Sequence, residues 1–101
     1  MSWQTAIKEF KYYLSVERSL AQNSVESYLR DINKLADYSK KIEKDEKSLS
    51  TKDIRNFISY LNDNKISARS QARIISGIKA FYKYLILEDN IKEDPTLLIE
   101  N

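Results

Sequence analysis

The sequence contains no cysteine and no histidine. The first absence excludes disulfides and thiolate metal sites. The second removes the commonest general base and metal-ligating side chain. Glycine and proline occur once each in 101 residues. A β-rich fold of this size needs more of both for its turns, so helices are favoured at once. No apolar run approaches the roughly 18 residues needed to span a bilayer. The opening residues Met1, Ser2, Trp3 and Gln4 do not form a basic segment leading into an apolar one, so no signal peptide is expected. The expectation is a cytoplasmic protein without a membrane segment.

What is present describes one small soluble domain. Hydrophobic residues make up 42% and charged residues 32% of the chain, a balance that folds rather than remains disordered. At this length roughly 60–65% of the unfolded surface can be buried, enough for one core and no deep pocket. No cofactor, metal or small-molecule ligand is expected: there is no glycine-rich phosphate loop, and the carboxylates show no metal-ligand spacing. The net charge is only +2, but it is unevenly placed. Residues 64–87 hold Lys65, Arg69, Arg73, Lys79 and Lys83 and no acid. That leaves 12 of the 17 cations against all 15 acids elsewhere, a net of −3. Such asymmetry is what a local anion-binding face looks like.

Hydrophobic periodicity predicts four helices. The first runs roughly from Trp3 to Glu17, with Trp3, Ile7, Phe10 and Leu14 on one side. The second starts near Asn23, which forms a capping-box pattern with Glu26; Val25, Tyr28, Leu29, Ile32, Leu35 and Ala36 form its apolar face, and it ends within residues 39–41. The third follows Ser50, with Ser50 and Asp53 as its capping pair and Ile54, Phe57, Ile58 and Leu61 as its stripe; residues 62–64 end it. The fourth follows Ser67 and runs to about Leu87. Pro95 marks an extended tail. No helix can hide its stripe alone, so the expected fold is an all-α compact bundle of four main helices.

The fourth helix is the informative one. Stepped at 100° per residue from Arg69, the positions Arg73, Ser76, Ala80 and Lys83 fall within about 40° of one line. Gln71, Ile74, Ile75, Ile78, Phe81, Tyr82 and Leu85 lie opposite, and Lys79 is on the flank. The exposed face is basic and small, with no acid on the helix to neutralise it. Solvated faces usually mix signs, because Glu–Lys pairs one turn apart add stability. A face of this kind suits a phosphate backbone or a major groove, although a plain solvated surface explains the wheel equally well. The second helix carries a weaker counterpart in Asn23, Ser27, Arg30 and Lys34, flanked by Glu26 and Asp31. Gly77 permits a close approach to a neighbouring helix or to DNA, and the sequence does not choose between them.

The seven tyrosines do not form a catalytic set. Tyr28 and Tyr82 lie on apolar stripes; Tyr12, Tyr13, Tyr38, Tyr60 and Tyr84 lie at or beside them. A nucleophilic tyrosine needs cations around a leaving phosphate, and no such constellation is legible.

Several stretches, in order and at matching spacing over nearly the whole chain, resemble the N-terminal SAM-like, or core-binding, domain of the phage-integrase family, Xer-type tyrosine recombinases in particular. They are Phe10 and Leu14 leading into Glu17-Arg18-Ser19-Leu20; Asn23-Ser24 with Ser27-Tyr28 and Arg30-Asp31; Ala68-Arg69-Ser70 with Ala72-Arg73 and Ser76; Phe81-Tyr82 with Leu85; and Asp94-Pro95. Ala21 stands where the family often has serine, Ser24 where it has threonine, and Gly77 where alanine is common.

The resemblance implies a DNA-binding domain over residues 1–92, with residues 93–101 beginning a linker to a separate catalytic domain. It implies no catalytic residue in this chain, so the chain alone is not expected to be an enzyme. Double-stranded DNA and other recombinase protomers are the implied partners, and the bacterial nucleoid the implied place of action. Position by position it carries DNA contact to Asn23, Ser24, Ser27, Arg30 and Lys34 of the second helix. On the fourth it carries contact to Ala68, Arg69, Ser70, Arg73, Ser76, Lys79 and Lys83. The competing reading is a helical protein-interaction module that joins protomers.

Overall fold

Three serines start three of the helices. In the computed structural model, which describes residues 2–100, the Ser2 hydroxyl accepts from the Thr5 amide (3.2 Å) and starts α1 (Trp3–Tyr12). The Ser50 hydroxyl accepts from the Asp53 amide (3.1 Å) while Asp53 accepts from the Ser50 amide (2.9 Å). This is the capping box read in the sequence, and it opens α3 (Thr51–Asp63). The Ser67 hydroxyl accepts from the Ser70 amide (3.2 Å) and opens α4 (Ala68–Leu87).

The second helix departs from expectation. α2 (Gln22–Lys41) starts one residue before Asn23, with Ala21 as its cap and no side-chain cap bond. Ala21 is already extended (φ −62°, ψ 149°), so helical geometry begins at Gln22 and Asn23 lies inside the first turn. Glu26 accepts instead from the Gln22 amide side chain (3.1 Å).

Helix ends are made without glycine. Ser19, Glu43, Lys65 and Asp89 follow the four helical segments and all take positive φ, between 51° and 61°. The next amide then reaches back to close the turn: Lys44 to Ser39, Ile66 to Leu61, Asn90 to Leu85. This is the Schellman arrangement, with side chains held where glycine is usual. α1 ends differently. Its last turn widens into a π turn over Tyr13–Glu17, and the Leu20 amide reaches Leu14. The predicted extent of the first helix to Glu17 therefore holds, with a looser final turn.

The interior is one cluster to which every helix contributes. Phe10 meets Phe81 edge to face at 5.3 Å, and Trp3 stacks on Phe81 at 5.6 Å. Leu14, Ile32, Leu35, Ile54, Phe57, Ile74, Ile78 and Leu85 are buried around them. Of the tyrosines, Tyr82 and Tyr84 are buried and Tyr12 is exposed. The radius of gyration is 12.8 Å, the value of about 13 Å expected when a chain of this length packs as one body.

Two segments outside the helices join the core. In the α2–α3 loop, Leu49 and Glu46 are buried. Trp3 Nε1 donates to Ser39 Oγ (3.0 Å), and that hydroxyl donates on to the Lys44 carbonyl, tying the loop to α1 and α2. After α4 the chain does not run out as the extended tail expected at Pro95. Asp94 accepts from the amide and hydroxyl of Thr96, Thr51 Oγ1 donates to the Pro95 carbonyl (2.9 Å), and Thr96 and Ile99 are buried. Apolar Ile99, four residues past the proline, draws this segment back onto the bundle.

Candidate nucleic-acid interface

α2 and α4 form the most extensive helix–helix interface in the molecule, and the candidate residues lie along the solvent side of these two helices. On α2, Asn23, Ser24, Arg30 and Lys34 are exposed and Ser27 is half-buried. On α4, Ala68, Arg69, Arg73, Ser76 and Lys83 are exposed, while Ser70 and Lys79 are half-buried. Ile74, Ile75, Ile78, Phe81, Tyr82 and Leu85 face inward, as the wheel required. Gln71, placed with them by angle, is half-buried and serves the preceding turn: its amide donates to the Ile66 carbonyl (2.8 Å). From Arg69 to Lys83 the helix rises about 21 Å, so its cations are spread over the length of about six base-pair steps at ~3.4 Å each.

Four of the twelve candidates meet in one place. Ser24 and Ser27 of α2 and Arg73 and Ser76 of α4 line a cleft of about 220 Å3 where the helices pack. Tyr28 and Asp31 complete its lining. The other eight candidates stand outside this cleft. A larger hollow of about 720 Å3, between residues 47–51 and 90–95, contains none of the twelve.

Asp31 changes the electrostatics of the face. The sequence placed it as a flanking residue of α2 that diluted a polar stripe. It is 1% exposed, and its carboxylate takes Arg73 side-on: Nε donates to Oδ2 (3.3 Å) and Nη2 to Oδ1 (3.0 Å). The α4 face is thus free of acid within its own helix, as read, but Arg73 is paired from across the interface. Its side chain is still 53% exposed. The signal was present in the sequence: Asp31 lies one turn from Ser27, about 40° round α2.

Gly77 lies where α4 comes close to the Asp31 carboxylate. A Cβ built on it would meet Asp31 Cβ at 3.4 Å and Tyr28 Cδ1 at 3.5 Å. Of the two roles left open for this glycine, the close approach is to the neighbouring helix.

Among the described residues no group of histidine, cysteine or carboxylate side chains could hold a metal ion. Among the same residues no helix is long and apolar enough to cross a membrane.

A family model described as "Phage integrase, N-terminal SAM-like domain" matches residues 7–89. Among curated proteins, the chain is 39% identical over 94 residues to tyrosine recombinase XerD of Rickettsia bellii, covering 93% of this chain and 31% of that protein. It is 36% identical over 97 residues to XerD of Oceanobacillus iheyensis, covering 94% and 33%. It is 34% identical over 89 residues to tyrosine recombinase XerC of Leptospira interrogans, covering 87% and 29%. The chain thus spans about a third of the length of the relatives it matches. No solved structure matches it.

Proposed function

The chain belongs to the phage-integrase N-terminal SAM-like domain family, and from that premise we propose that it is the DNA-binding domain of a site-specific tyrosine recombinase, gripping duplex DNA through α2 and α4. The observation that carries this reading is the outer face of α4, free of acid within its own helix, where Arg69, Ser76 and Lys83 are exposed and Ser76 shares a cleft with Ser24 and Ser27 of α2. Cations spaced along one helix neutralise successive phosphates, and hydroxyls between them supply short polar contacts. Catalysis is assigned to a separate domain of the parent recombinase, and the segment from residue 93 onward, packed on the bundle through Thr96 and Ile99, forms the first part of the connection to it. Its place of action is the bacterial cytoplasm, at the nucleoid.

The test follows amide chemical shifts of the chain during titration with a 20-bp duplex. The expected result is perturbation confined to the first half of α2 and the outer face of α4. Perturbation confined to α1 or to the C-terminal segment contradicts the reading.

One observation favours a second reading, a protein-interaction module between protomers. Leu97 and Leu98 are 77% and 71% exposed, side by side beyond Pro95. Apolar contact of that kind is insensitive to salt, whereas the DNA contact weakens steeply with it. The two roles use different surfaces and are compatible in one recombinase assembly.

A further inference from the structure

The Asp31–Arg73 pair raises a question that folding alone does not answer. A carboxylate 1% exposed is costly to hold ionised without a partner. Replacing a buried ion pair with apolar side chains of similar size is often neutral or stabilising. Here the acid is buried, its partner is half in solvent, and both line the cleft on the proposed DNA face. The carboxylate also occupies one specific edge of the guanidinium, Nε with Nη2. A guanidinium is planar and carries five N–H donors in a fixed fork. With the side-on edge held, the end-on edge, Nη1 with the second Nη2 proton, is directed away from the carboxylate.

Charge decides what that edge is suited to meet. Asp31 cancels much of the charge of Arg73, so the residue is poorly placed to attract a phosphate, which would sit near a carboxylate. Two parallel N–H groups of fixed orientation match a pair of acceptors in a plane. In a major groove that pair is guanine O6 and N7.

We propose that Arg73 reads a guanine edge rather than a phosphate, and that Asp31 is the positioning residue that aims it. The inference rests on the DNA-binding reading above and adds a division of labour to it. Arg69, Lys79 and Lys83 supply the electrostatic attraction, and the Asp31–Arg73 pair supplies base discrimination.

The test uses the 101-residue chain and two probes. One is a 20-bp duplex enriched by the wild-type chain from a random pool; the other is the same duplex with every guanine replaced by 7-deazaguanine, which lacks the N7 acceptor. Wild type is expected to bind the second roughly 5- to 150-fold more weakly, the range for a good bidentate base contact. Arg73→Ala is expected to bind both equally, with its slope of log K against log salt unchanged. Arg73→Lys should not restore discrimination, because an ammonium is a point donor without the fork. Asp31→Asn, nearly isosteric, should lose discrimination while its salt slope steepens by about one, the signature of one newly unneutralised cation.

A purely structural Asp31 predicts Asp31→Asn with both readouts as in wild type and only the melting temperature changed; that result overturns the proposal. Arg73→Ala with a slope shallower by about one and discrimination intact also overturns it, by making Arg73 a phosphate contact. Wild-type binding that is salt-dependent but enriches no sequence overturns this inference alone. Absence of wild-type binding at low salt overturns the DNA-binding reading as well.

Discussion

The Tyr82 hydroxyl, buried within α4, donates to the backbone carbonyl of Glu46 at 2.9 Å. This bond fastens the α2–α3 loop over the core and draws the Glu46 side chain in with it. Both Glu46 carboxyl oxygens are buried, with no hydrogen-bond partner among the described residues.

Burial pushes the Glu46 carboxyl above its ordinary 4.5; its own backbone amide is the strongest opposing influence, and the neighbouring Asp45 carboxylate adds to the rise. A carboxyl whose pKa is raised by folding binds its proton more tightly in the native state. Its contribution to stability is therefore complete below the unfolded value and declines as pH rises through the folded one. Glu46→Gln should remove that decline. Thermal melts of wild type and variant are expected to converge below about pH 4.5 and to separate progressively above it, with the variant more stable at neutral pH. Parallel melting curves from pH 4 to 8 would show that the carboxyl is solvated.

Glu43 ends α2 with φ 58° and is exposed. A residue with a Cβ in the left-handed region costs roughly 1–2 kcal/mol, and glycine removes the penalty while adding unfolded-state entropy. Glu43→Gly is expected to stabilise the domain by about 0.5–1 kcal/mol in denaturant titrations. Glu43→Val, with a branched Cβ at the same angle, should destabilise it.

Gly77 sits in the middle of α4 without a positive φ. An added Cβ would find its nearest neighbours at 3.4–3.5 Å, at the close end of ordinary van der Waals contact. Helix propensity favours alanine over glycine by up to about 1 kcal/mol. Gly77→Ala is therefore expected to raise stability by an amount approaching that figure. A larger side chain, as in Gly77→Leu, should separate α2 from α4 and lower it.

Much of the architecture was legible because it is local. Ser50 with Asp53 and Ser67 before Ala68 announced two helix starts correctly, since a cap bond spans only three residues. The apolar stripes located the core by period alone. The start of α2 was read to within a residue, but its cap was misassigned: the extended residue before the first turn is Ala21, so Asn23 lies inside the helix and cannot cap it. What could not be read is non-local. The Asp31–Arg73 pair joins residues 42 apart in sequence, and the return of Ile99 to the core after Pro95 depends on Thr51 of another helix. The acid-free α4 face was visible as a pattern of one helix, but its electrostatics belong to two.

The most direct test of the account is the salt dependence of duplex binding by the chain, beside an Arg69→Ala/Lys83→Ala variant. Four or five phosphate contacts predict a slope of log K against log salt of about −3 to −5. Removing two cations should make it shallower by about two at unchanged melting temperature. A wild-type slope near zero, or a double variant indistinguishable from wild type, would contradict the assignment of the outer face of α4 to DNA.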